Sequence, residues 1–239
     1  MEMQSGLPVG VAAFIGRAPE RAKVAELIAH ARVVTLTGAG GCGKTRLALE
    51  VTGDVASRFP DGAHWVNLQG VNDPAMVAAA VAAAVGVRER PGQALVDTLA
   101  EQLRARSLLV VLDNCEHLVA ACAQLVGVLT SVCPQLQVLA TSRTPLTVEG
   151  EVTFEVGPLP VPEPDVRSVG SVAAADAARL FEVRARQVRT DFRIDDDNAS
   201  AVAEICRRLD GIPLAVELAA ARVYTLSLHD AFRSRKSVV

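Results

Sequence analysis

An α/β domain with a mainly parallel five-stranded sheet flanked by helices, followed by a small all-helical subdomain, is predicted by three features of the sequence. Short apolar runs alternate with helical patterns through the first two thirds of the chain, the mark of βαβ units and a parallel sheet. One run, Leu108 to Leu112 (LLVVL), is apolar at every position, as strands covered on both faces are. Beyond a stretch at 157–170 that carries four prolines, the pattern is wholly helical.

The elements follow in order. Residues 32–37 (RVVTLT) read as a strand, a glycine cluster follows, and a helical pattern runs from about Lys44 to Arg58. Ala63 to Leu68 (AHWVNL) reads as a second strand, followed by helices at roughly 74–86 and 92–106. Leu108 to Leu112 is the third strand. The segment 116–132 places Leu118, Val119, Cys122, Leu125, Val126 and Leu129 at helical spacing. Leu136 to Ala140 and Val152 to Val156 read as the fourth and fifth strands.

In the last third, 172–189 reads as one helix. Val202, Ile205, Cys206 and Leu209 stripe a second helix that ends near Gly211, and a third starts at Pro213, where a missing N–H costs nothing. The expected division is a lead-in at 1–11, an α/β domain at 12–157, a linker at 158–170 and an incomplete helical subdomain at 171–223. Residues 224–239 (YTLSLHDAFRSRKSVV) break the alanine-rich helix abruptly and resemble a translated sequencing adapter. On that reading the natural protein continues past about Val223 and this chain is a fragment.

Composition excludes several classes. Of 239 residues, 50% are hydrophobic and 21% charged, too apolar for a disordered chain. The net charge of −3 lacks the basic excess of a free-standing nucleic-acid binder. Five scattered cysteines without a CxxC pair suggest reduced thiols in a cytoplasmic protein and no zinc site. The most apolar run, Ala75 to Val87, is shorter than the ~20 residues a membrane span needs.

The strongest chemical signal is Gly38-Ala39-Gly40-Gly41-Cys42-Gly43-Lys44-Thr45, followed by Arg46. It fits GxxxxGKT between a strand and a helix, the context that gives the pattern meaning. Glycines permit positive φ and close backbone approach, so successive N–H groups cradle phosphate oxygens at a helix N-terminus. Lys44 is expected on the β- and γ-phosphates and Thr45 on Mg²⁺. Sheet and loop together predict a P-loop NTPase.

Asp113 ends the third strand. A carboxylate there is costly without a partner, and Mg²⁺ is the natural one; the alternative is an N-cap of the next helix. Glu116 is placed to orient or deprotonate an attacking water, or to take part in a capping arrangement at the first helical turn. His117 reads as a helix-surface residue. Arg143, just past the fourth strand, lies where parallel sheets bind ligands and could contact a γ-phosphate; the alternative is a surface arginine. Arg184, Arg186, Arg189 and Arg193 read as a solvated helix face rather than a kinase lid.

In order, Phe14-Ile15-Gly16-Arg17, the glycine loop, LLVVLDNCEH, LATSR and Gly211-Ile212-Pro213-Leu214-Ala215 resemble the STAND class of P-loop ATPases. The nearest likeness, over about residues 10–223, is to the NB-ARC/AP-ATPase-like module of bacterial transcriptional regulators of LuxR or SARP architecture. The resemblance implies ATP/ADP as ligand, Ile15, Gly16 and Arg17 near adenine and ribose, Pro213 beside the base, and Arg143 as a phosphate sensor. It implies a closed ADP state, an open ATP state able to form a homo-oligomer, and slow hydrolysis that resets the switch. Winged-helix, repeat-sensor and DNA-binding domains are then partners expected downstream. Ala18 stands where the family's glutamate usually follows the arginine, and Asn114 where many members have a second acid. A P-loop kinase or fast ATPase, and an interaction scaffold with a degenerate nucleotide site, are the alternatives.

Overall fold

The computed structural model describes residues 13–164 and 168–223. The expectations for residues 1–11 and 224–239 lie outside them. The chain divides into two compact units: one of residues through Gly40 with Lys44–Val156, the other of Gly41–Gly43 with Gly157 onward.

The first unit is a sheet of β1 (Val33–Thr37), β2 (Ala63–Asn67), β3 (Leu108–Asp113), β4 (Leu136–Thr141) and β5 (Glu151–Glu155), in the order β2-β3-β4-β1-β5. Every pairing is parallel, with Val33 opposite Val138 and Glu151, and Val111 opposite Trp65 and Leu139. All six residues of β3 are buried, as its unbroken apolar run requires of a central strand.

Alternate residues of each strand point to opposite faces. Leu108, Val110 and Leu112 of β3, with Leu136, Val138 and Ala140 of β4, join one core with α3 (Val77–Val85), α4 (Leu95–Leu103) and α5 (Val119–Val132). The other face packs against α2 (Lys44–Val55) and α1 (Ala18–His30), which bury Leu47, Ala48 and Val51, and Val24 and Ile28.

Several elements differ from the sequence reading. Helix α1 has no clear signature in the sequence: it buries only Val24 and Ile28, too narrow a stripe for a clear period. The expected helix at 74–86 opens with a 3₁₀ turn at Pro74–Met76, where the Asp73 carboxylate accepts from the Ala75 N–H. The expected helix at 116–132 likewise opens with a 3₁₀ turn, Cys115–His117.

The second unit packs α6 (Val169–Ala174), α7 (Asp176–Val188), α8 (Ala199–Arg208) and α9 (Pro213–Ala220). Its core includes Val172, Leu180, Phe181, Phe192, Val202, Cys206 and Val216, with the rings of Phe181 and Phe192 tilted at 5.9 Å between centroids. The single helix expected over 172–189 is two helices, broken at Ala175, which is extended (φ −72°, ψ 133°). The Ala177 N–H donates to Pro160 O, a bond from outside the helix.

Residues 157–164 are fastened to this unit. Leu159 N–H donates to Gly211 O at 2.9 Å, and a Cβ at Gly211 (φ 65°) would stand 2.1 Å from Leu159 O. Only glycine fits there. Arg184 corrects the reading of a uniformly solvated arginine face: its side chain is 13% exposed and donates twice to the Glu217 carboxylate of α9, at 2.8 and 3.1 Å. Arg186, Arg189 and Arg193 are exposed. No helix among the described residues is long and apolar enough to cross a membrane.

Candidate functional site

The site is built where β1, β3 and β4 end. The glycine loop runs from β1 to α2 with Gly38, Gly41 and Gly43 at positive φ (144°, 77° and 94°), a backbone that side chains resist. Cys42, between them, is buried. Lys44 opens α2 and is buried; its ammonium donates to Gly38 O at 2.8 Å and Ala39 O at 2.9 Å. Thr45 is exposed and Arg46 half-buried on the same first turn.

Asp113, the last residue of β3, is 6% exposed. Its Oδ1 accepts from the Thr45 hydroxyl at 2.8 Å and the Thr141 hydroxyl at 2.6 Å. Asn114 turns left-handed (φ 69°) directly after the strand, and its N–H donates to Thr141 Oγ1 at 2.9 Å. Asp113 therefore does not cap the following helix: it faces the glycine loop. Thr141 carries no motif in the sequence; its signal is its place at the end of β4, next to β3.

Glu116 stands on the 3₁₀ turn. Its Oε1 is 3.4 Å from Arg143 Nε, and its buried Oε2 has no hydrogen-bond partner among the described residues. Arg143 follows β4 by two residues and its side chain is 66% exposed. Ser142 N–H donates to Leu36 O, fixing the strand end beside β1, and a Cβ at Gly40 would lie 3.5 Å from Arg143 Nη2. The guanidinium therefore runs alongside the loop. His117 is exposed, with Nε2 2.8 Å from Val71 O. The Cys115 thiol, hydrogen-bonded to Cys122 and buried, is pushed well above the usual thiol range and supplies no nucleophile.

Lys44, Thr45, Asp113, Glu116 and Arg143 are thus brought to one end of the sheet. Arg17, also in this unit, precedes α1 in a left-handed conformation (φ 60°), is 4% exposed, and lies 3.9 Å from Glu20. Gly16 beside it has φ 69°, and Ile15 is half-buried. Pro213 is the first residue of α9, in the second unit.

These residues fit a nucleotide polyphosphate with its divalent cation. The loop offers backbone N–H groups at a helix start, Lys44 a buried cation, and Thr45 with Asp113 two adjoining oxygen ligands. No group of three or more His, Cys, Asp or Glu among the described residues could hold a metal on its own. One carboxylate and one hydroxyl suit Mg²⁺, which takes its remaining ligands from phosphate and water.

Residues 27–145 match the family described as AAA domain. The fold is that of a P-loop NTPase of the AAA type. Among solved structures, a signal-transduction ATPase with numerous domains (STAND) and a tetratricopeptide-repeat sensor, from Pyrococcus horikoshii, aligns with a TM-score of 0.53 and 16% identity, over 90% of this chain and 31% of that one. Cdc6p from Pyrobaculum aerophilum aligns with a TM-score of 0.60 and 13% identity, over 98% and 65%. At such identities the likeness is one of fold.

Sequence relatives are nearer. A Mycobacterium tuberculosis protein named as an HTH-type transcriptional regulator is 45% identical over 214 residues, 87% of this chain and 23% of its own length. An uncharacterized protein of the same species is 42% identical over 227 residues, 92% of this chain and 55% of its own. Regulatory protein AfsR of Streptomyces coelicolor is 33% identical over 129 residues, 45% of this chain and 13% of its own. The P-loop chain thus spans about a quarter of the first relative and about half of the second.

Proposed function

We propose that this chain is an ATP/ADP-binding switch module of a larger bacterial transcriptional regulator, hydrolysing ATP slowly. The observation that carries the reading is the joining of Lys44 and Thr45, at the start of α2, to Asp113, at the end of β3, by the 2.8 Å Thr45–Asp113 hydrogen bond. Lys44 neutralises phosphate charge, the loop amides orient it, and Thr45 and Asp113 hold Mg²⁺. Bound there, the cation offsets charge that develops on the phosphates during transfer. Glu116 receives a proton from water, and Arg143 contacts the terminal phosphate. Asn114 in place of a second acid favours slow turnover.

The regulatory half of the proposal is supported by relatives that carry the names of regulators and are far longer than this chain. Ile15, Gly16, Arg17 and Pro213 then serve adenine and ribose, as in the STAND class. Such a protein works in the cytoplasm, with winged-helix, sensor and DNA-binding domains of the same polypeptide as partners, and with an ATP-dependent homo-oligomer as its open state. A switch needs a ligand that favours one state over the other. Calorimetric titration of ATP and ADP with Mg²⁺ tests the reading: both bind the wild-type chain and neither binds Lys44→Ala. A folded wild-type sample that binds neither nucleotide refutes it.

A further inference from the structure

Glu116 and Arg143 form an unusual pair. Glu116 Oε1 lies 3.4 Å from Arg143 Nε, its side chain is 21% exposed, and its other oxygen is buried with no partner among the described residues. A carboxylate with one oxygen out of water leans on whatever cation faces it. The cation is Arg143, on the exposed rim, whose other end runs alongside the glycine loop at Gly40. One guanidinium thus stands between a carboxylate and the place where phosphate would lie.

We propose that Glu116 sets the preference of this site between ATP and ADP by competing with the terminal phosphate for Arg143. The inference rests on the nucleotide-binding reading above. A γ-phosphate carries more charge than a carboxylate and accepts Arg donors in the same planar, forked geometry. It draws the guanidinium off Glu116 and leaves that carboxylate without its cation, so part of the γ-phosphate contact is spent in breaking the pair. ADP has no γ-phosphate and leaves the pair intact. Glu116 therefore weakens ATP binding selectively, and the carboxylate is released only when a triphosphate is present.

The test uses the full chain as wild type, Glu116→Gln, Arg143→Ala and the double variant. Affinities are measured by calorimetry for ADP and for the non-hydrolysable β,γ-imido analogue of ATP, each with Mg²⁺. Glu116→Gln is expected to tighten the triphosphate about two- to fivefold, the range for an ion pair with one exposed partner, and to leave ADP unchanged. ADP binding also reports that each variant is folded. In the Arg143→Ala background the Glu116→Gln effect disappears. A triphosphate affinity that is unchanged or weaker in Glu116→Gln overturns the proposal, as does an equal effect on both nucleotides or one that persists without Arg143. Wild type binding neither nucleotide removes the underlying reading and the proposal with it, a result distinct from all of these.

Discussion

Replacing Thr141 by valine isolates the hydroxyl that ties β4 to Asp113. Valine keeps the shape and the β-branch, so the packing of this residue, 1% exposed, is retained. Two bonds are lost: the 2.6 Å donation to the Asp113 carboxylate and the 2.9 Å acceptance from the Asn114 N–H. A hydrogen bond to a charged acceptor contributes about 1.5–3 kcal/mol, and an amide left without an acceptor costs about 1–3 kcal/mol. Both pass through one oxygen, and Asp113 keeps its bond from Thr45, so the losses overlap and about 3 kcal/mol is expected. Urea denaturation of the full chain reads this as a lower midpoint at unchanged slope. Thr141→Ser keeps the hydroxyl and should recover most of the loss. A valine variant within about 0.5 kcal/mol of wild type, or a serine variant as unstable as valine, would refute the assignment of a structural role to this hydroxyl.

Gly211→Ala should release the 157–164 segment, since its Cβ would sit 2.1 Å from Leu159 O at a φ of 65°. The Leu159 amide, protected by Gly211 O in the wild type, should exchange faster with deuterium, and unchanged exchange would contradict the packing described. Phe181→Ala removes the largest fully buried side chain of the second unit and its contact with Phe192. A loss of about 3–5 kcal/mol is expected in urea denaturation. Burial pushes the Cys206 thiol up from near 9 to about 12. In that window the unfolded thiol ionises while the folded one keeps its proton, so this group's contribution is constant below pH 9 and stability falls as pH rises from 9 to 12, by about 1.4 kcal/mol per unit. Denaturation midpoints against pH should show this fall, and Cys206→Ala should flatten it.

The central strand β3 was legible because a parallel strand covered on both faces is apolar throughout, as LLVVL is. The glycine loop was legible because its chemistry is local: eight consecutive residues carry the strand exit, the cradle, the lysine and the threonine. Helix α1 escaped because two buried residues in thirteen make no clear stripe. The break at Ala175 escaped because alanine favours helix, and the bond to Pro160 O that competes comes from outside the element. Thr141 and the Glu116–Arg143 contact depend on which strands become neighbours. The order β2-β3-β4-β1-β5 sets that, and spacing along the chain does not.

The fastening of residues 157–164 bears on how the helical part can be prepared alone. Four prolines invite cutting the gene near residue 171. That cut discards the acceptor of the Ala177 amide and the strip lying on Gly211, and removes Leu159, only 3% exposed, from its place in the packing. A fragment starting at Gly157 keeps all three. Residues 157–164 pack as part of the helical unit, and trimming them as dispensable would yield a truncated protein with an open seam.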